Sequence, residues 1–106
     1  MIRDFDLGDI LSVTDGALVS TRHMDGVYDL LGFMTGGPIT TIGLMWASTP
    51  CAKALLEQHP DLVNVRTPEW DRSGDVKFQV EAWLASVKIK YGETLPVVPL
   101  TNWKSS

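Results

Sequence analysis

The densest run of side chains able to do chemistry is Ser20-Thr21-Arg22-His23-Met24-Asp25-Gly26-Val27-Tyr28. The first turn of a helix leaves backbone N–H groups unpaired and carries the positive end of the macrodipole, so it attracts anions. Arg22 and His23 fall in a predicted first turn, where two cations oppose that field and an anionic ligand would relieve the conflict. The chemistry indicated is capture of a phosphate-bearing ligand, with Arg22, His23, Asp25 and Tyr28 as candidate binding residues. The competing reading is that Arg22 and His23 reach solvent or pair with Asp25 or Asp29.

Other chemistry finds less support. His23, His59 and Cys51 are the only soft metal ligands, and none is paired at i+3, i+4 or CxxC spacing. His59 follows Cys51 by eight residues on one predicted helix, about 12 Å at ~1.5 Å per residue, too far for a nucleophile and its base. Gly36-Gly37 lacks both the GxGxxG and the P-loop pattern, and reads as a helix C-cap. Asp25 and Asp29 on one helix face read as a solvated pair before they read as acid and base. No catalytic residue, metal site or cofactor is expected, and the chain reads as a binder.

Composition bounds the answer further. The chain has 106 residues, 44% hydrophobic and 21% charged, which fits one domain over residues 1–106. Nine Lys and Arg face 13 Asp and Glu, for a net charge of −4, which argues against direct nucleic-acid binding. The excess is local. Residues 1–36 hold Arg3 and Arg22 against Asp4, Asp6, Asp9, Asp15, Asp25 and Asp29, whereas residues 37–106 are balanced. Asp favours caps and turns, so these acids read chiefly as helix starts and secondly as an acidic surface with Asp29 at an interface. One cysteine, no apolar run of ~18 residues and no basic-then-apolar start predict a soluble protein with no membrane partner.

The elements that must position these residues follow from caps and periodicity. Asp6 as N-cap, Asp9 at N3 and a Phe5–Ile10 staple predict a helix over 7–15 ended by Gly16. Ala17-Leu18-Val19 reads as a short extended piece. A second helix is predicted over 21–35, capped by Ser20 or Thr21 and stopped at Gly36-Gly37-Pro38, with Val27, Leu30, Leu31 and Met34 facing the core. Gly26 and Gly32 inside it imply close approach of another backbone or of a ligand, close packing being the commoner case. The β-branched run 39–46 reads as a strand, with Thr49 and Pro50 opening a new helix through His59. Residues 60–74 read as an irregular connection. A last helix spans 75–91, with Val76, Val80, Trp83, Leu84, Val87 and Tyr91 along one side and Gly92 as its stop. The tail 94–100 is an edge strand at most. The fold class is α+β, a small domain predominantly helical with a few short strands. Trp83 reads as core, and Trp70 and Trp103 as loop-borne interface anchors or stacking plates.

Several blocks carry a family likeness. Leu7-Gly8-Asp9-Ile10-Leu11-Ser12-Val13-Thr14, Arg22-His23-Met24-Asp25-Gly26-Val27-Tyr28-Asp29-Leu30-Leu31 and Met34-Thr35-Gly36 resemble a family of small bacteriophage and prophage proteins. Leu55-Leu56-Glu57-Gln58-His59-Pro60 and Tyr91-Gly92-Glu93-Thr94-Leu95-Pro96-Val97 extend the likeness over most of the chain. It departs at Gly37 through Ala47, which is largely apolar where the family pattern has a polar stretch with Thr-His-Gln and an Arg. The resemblance implies a phage origin and action in the host cytoplasm. By analogy with other phage accessory proteins, the expected role is a non-catalytic counter-defence binder, an oligomer that sequesters a nucleotide second messenger. The alternative is an inhibitor of a host defence protein, such as a CRISPR effector or other nuclease complex, acting through the acidic first third. A structural or morphogenetic phage accessory protein is the third reading.

Overall fold

Asp6 closes one element and opens the next. It is the last residue of strand β1 (Arg3–Asp6) and the N-cap of helix α1 (Leu7–Thr14), its carboxylate accepting the Gly8 N–H at 2.9 Å. Phe5 and Ile10, the two halves of the expected staple, are both buried in one cluster. Helix α2 (Met24–Thr35) ends on Gly36, whose φ of 90° is a conformation glycine adopts without a Cβ clash. Helix α3 (Thr41–Gln58), a 3₁₀ turn (Pro60–Asn64), helix α4 (Val76–Tyr91) and strand β2 (Thr94–Val97) complete the order. The computed structural model describes residues 2–100. The fold is α+β and predominantly helical.

One apolar core joins these elements. Leu7, Ile10 and Leu11 of α1 meet Leu30, Leu31 and Met34 of α2 and Ala47, Cys51 and Leu55 of α3. Leu62 and Val65 anchor the connection after α3. The two strands pair antiparallel, Arg3 opposite Val97 and Phe5 opposite Leu95, and the Leu7 N–H continues the ladder to the Glu93 carbonyl. The outer edge of β2 is covered by the end of α3. His59 donates from its ring to the Pro96 carbonyl at 2.6 Å, and the Gln58 amide clamps the Val98 backbone at 2.8 and 3.0 Å. Such cover prevents edge-to-edge pairing with other chains.

Several expectations are corrected. Residues 39–46 do not form a strand, and Pro50 does not open a helix: both lie in or beside α3, which runs unbroken from its Thr40 cap. Ala47, Cys51 and Leu55 recur at helical spacing and are all buried, so tertiary packing overrides the β preference of the branched residues. Helix α2 begins at Met24 rather than Thr21, and neither Ser20 nor Thr21 is its cap. Residues 17–19 join no strand, and the N-terminal partner of the tail is β1, which the sequence reading left without an element.

Inside α3, Pro50 has no N–H to offer the Trp46 carbonyl, and its ring crowds that turn. Pro50→Ala is expected to stabilise the fold by about 2 kcal/mol, a helix gain of ~3 less the ~1 lost by freeing the unfolded chain. Chemical denaturation measures it; a neutral or destabilising result would mean that a helix starts at Pro50.

Candidate functional site

The site grows from one turn of α1. Gly8, Asp9 and Ser12 face inward, and all three are buried. The Ser12 hydroxyl donates to the Gly8 carbonyl at 2.8 Å and accepts the Val19 and Ser20 N–H groups, each at 3.0 Å. That hydroxyl therefore pins the chain returning from α1. Ser20, brought in by this clamp, donates its hydroxyl to Asp9 Oδ1 and accepts the Arg22 N–H at 3.0 Å. Arg22 then folds its guanidinium back onto the second oxygen of Asp9, at 2.5 Å. Asp9 is fully buried, and these contacts give each of its carboxylate oxygens a partner.

The chain of charges continues outward. Arg22 Nη1 reaches Asp29 Oδ2 at 3.1 Å, and Asp29 receives both amino groups of Arg3 at 3.0 and 2.6 Å. The Arg3 guanidinium lies over the Phe5 ring, 4.5 Å from its centroid. The alternating series Asp9–Arg22–Asp29–Arg3 thus links α1, the 18–23 segment, α2 and β1. Hydrogen bonding to Asp9, ahead of all other causes, holds the Arg22 guanidinium more firmly protonated than usual. The Arg3 hydrogen bonds, ahead of those from Arg22, hold the Asp29 carboxyl below its ordinary value.

Gly26 shows how tightly the network is enclosed. A Cβ there would fall inside contact distance of Asp9 Oδ1 and Ser20 Oγ. A glycine inside α2 implied a close approach, and the approaching groups are side chains rather than another backbone or a ligand. The first turn of α2 consequently rests on the Asp9 carboxylate, which places a negative charge where the macrodipole favours one. His23, the N-cap, makes no capping bond through its side chain.

The four candidate ligand residues do not converge. Arg22 and His23 lie before α2 and not in its first turn, so the expected conflict with the macrodipole does not arise. Arg22 is engaged by two carboxylates. Asp25 is exposed, and the Tyr28 hydroxyl sits 3.3 Å from Thr41 Oγ1. Asp9 is no capping-box residue. Asp29 braces two arginines and is not a free interface acid. Trp70 packs edge-on against Trp83, with centroids 6.0 Å apart and rings at 76°, so it closes the connection over α4 and is no free stacking plate. Trp103 lies outside the described residues. The acidic surface shrinks as well. Asp6 pairs with Lys88 at 2.7 Å, and Asp15 takes Thr67 Oγ1 at 2.7 Å with Arg66 at 3.9 Å. Among the described residues of the first third, only Asp4 and Asp25 have no cationic partner.

Two surfaces escaped the sequence reading. Ile42, Met45 and Trp46 stand on α3 with 70%, 78% and 72% of their surface exposed. Their i, i+3, i+4 spacing was the available signal, hidden by reading the segment as a strand. The second is a groove of about 390 Å³ between the 18–23 segment and α4, lined in part by Leu18, Thr21, His23, Lys77, Val80 and Leu84. His23 enters it from φ 56° and ψ −138°, a backbone region open chiefly to glycine. Cys51 is fully buried and its thiol is pushed up to about 12 by burial, so no thiolate is available at neutral pH. Among the described residues, no three His, Cys, Asp or Glu side chains are grouped to hold a metal, and no helix is long and apolar enough to cross a membrane.

Two measurements follow from the network. Gly26→Ala gains helix propensity of ~1 kcal/mol, yet it is expected to destabilise by about 2 kcal/mol because the new methyl displaces Asp9 or Ser20. A rise in the denaturation midpoint would overturn the packing. A folded-state pKa below the unfolded one makes the Asp29 contribution complete above the ordinary value of 3.8 and fading as pH falls through the lower folded value. Stability should therefore drop below about pH 4. Asp29→Asn should flatten that part of the profile, whereas an unaltered slope would refute the assignment.

Comparison with curated proteins and with solved structures returns no match to this chain. A family description does match. It covers residues 5–65, from the second half of β1 through the 3₁₀ turn, and so contains Asp9, Arg22, Gly26 and Asp29 together with the α3 ridge. That span is more than half of the chain, which accordingly belongs to the family described as Domain of unknown function (DUF7736).

Proposed function

We propose that this chain is a non-catalytic protein-binding module of phage counter-defence, acting in the host cytoplasm by docking on a host defence protein. The observation that carries the reading is the exposed ridge Ile42, Met45 and Trp46 on α3. Trp is enriched among the residues that dominate binding energy, and Met adapts its shape to a partner's pocket. Tyr28, half-buried where α2 touches α3, adds an aromatic element beside that ridge. The matching partner surface is an apolar socket. The resemblance to phage and prophage proteins is what suggests a defence complex, such as a CRISPR effector or other nuclease, as the owner of that surface.

Capture of a nucleotide second messenger is the second reading, and one observation favours it: the groove beside His23. Its volume of about 390 Å³ suits a nucleotide, with Lys77 and His23 for phosphate and Val80 and Leu84 for the base. Arg22, held by Asp9 and Asp29, is not the phosphate ligand in this version.

Phage carrying the gene are to be plated on strains that each bear one defence system. Rescue on one strain is expected to survive Lys77→Ala and to be lost with Met45→Ala plus Trp46→Ala, at unchanged melting temperature. One such anchor accounts for a loss of ~30-fold in affinity and two for roughly 1,000-fold, at ~2 kcal/mol for each hot spot. The reverse pattern would favour the nucleotide groove. No rescue on any strain would end the counter-defence reading.

A further inference from the structure

Helix α4 is apolar on two sides, and the fold uses one. Its inner side, with Val80, Trp83, Val87 and Tyr91 half-buried around Leu84, packs on the core, and Leu84 is its one fully buried residue. A second stripe, Phe78, Ala82, Ala85 and Ile89, faces outward, with Phe78 67% and Ile89 88% exposed. The spacing of four, three and four residues is the heptad seam of paired helices. A helix apolar on two sides, and this lightly buried, is typical of one with a further packing partner.

We infer that α4 is the self-association surface of this chain and takes the same seam of a second copy running antiparallel. The seam is its own complement. In that orientation Phe78 meets the second copy's Ile89, Ala82 meets its Ala85, and the two small residues at the centre let the helix backbones approach. A groove of about 470 Å³ flanks the seam, lined by Ala85, Lys88 and Ile89 among others, and forms the hole into which the second copy's Phe78 ring inserts. Charge selects the direction. Glu81 and Lys88 lie seven residues apart on one flank of the seam, so an antiparallel copy sets each Glu81 beside the other chain's Lys88. A parallel copy sets Glu81 beside Ser86 and gains no cation. Lys88 already donates to Asp6 at 2.7 Å, which fixes its stem along the groove and leaves two donors for Glu81. A single helix pair lies at the low end of specific interfaces, below about 1,200 Å², so the dimer is reversible on dilution. This surface is independent of the α3 ridge, and the dimer would present that ridge twice.

The test is sedimentation velocity on the full chain over a concentration series, with cysteine trapping. A monomer–dimer equilibrium is expected, and Ile89→Glu should leave monomer at every concentration with the same thermal melt. Chains carrying Ala82→Cys mixed with chains carrying Ala85→Cys should form a disulfide-linked pair under mild oxidant, while neither cross-links alone. Cross-linking of Ala82→Cys with itself would establish a parallel pair and overturn the arrangement. A wild-type chain that stays monomeric, or a dimer that the mixed cysteines fail to trap, would overturn the surface itself.

Discussion

A carboxylate with no exposed surface, Asp9, sits where α1, the returning chain and the first turn of α2 meet, and the rest of the fold is arranged to give its oxygens partners. A bare carboxylate in an apolar interior would lose several kcal/mol of hydration. Here each lost contact with water has a replacement. Ser20 donates to one oxygen, Arg22 to the other, and the positive end of α2 lies against the first. These replacements impose their own conditions. Ser20 reaches Asp9 because Ser12 holds the Val19 and Ser20 amides, and α2 comes close enough because residue 26 is glycine. The clamp also explains the late start of α2: residues 20–22 are committed to Asp9 before the helix can begin.

From this centre the charge pattern of the molecule acquires its meaning. Six aspartates in the first 36 residues look like a surface when counted along the chain. In three dimensions Asp6 meets Lys88 from α4, Asp15 meets Arg66 and Thr67 from the connection, and Asp29 meets Arg3 from β1. Arg3 and Arg22 of the same third hold Asp9 and Asp29, and Arg66 and Lys88 from elsewhere in the sequence offset half of the remaining excess. The phosphate-binding role first read into Arg22 weakens for the same reason, since a guanidinium bonded to two carboxylates has little field left for a ligand. Function is better sought where side chains are unsatisfied: the bare apolar ridge of α3, the strained His23 beside its groove, and the outer stripe of α4.

The sequence reading succeeded wherever a local physical rule was sufficient. The Asp6 cap, the Gly36 stop, the Asp75-to-Gly92 limits of the last helix and the buried stripe Val27, Leu30, Leu31 and Met34 each follow from short-range chemistry. Gly26 was legible as a point of close approach, although the group approaching it was not. The failures share one cause. Ile39, Thr40, Thr41 and Ile42 favour a strand in isolation, but the residues that decide the matter are Ala47, Cys51 and Leu55 further along, which are buried only if the whole segment is helical.

By itself the sequence determined that the chain is α+β, where α1 and α4 start, where α2 and α4 stop, and which face of α2 is apolar, because caps and periodicity act within one turn. Only the tertiary structure decided that Asp9 is the buried centre of an ionic chain, that Arg22 belongs to it, and that the ridge of α3 and the seam of α4 are left uncovered. Those outcomes depend on pairs such as Arg3 with Asp29 and Asp6 with Lys88, 26 and 82 residues apart. Long-range partners of this kind leave no mark on local spacing. Whether a charge is exposed or a stripe is covered depends on what the fold brings beside it.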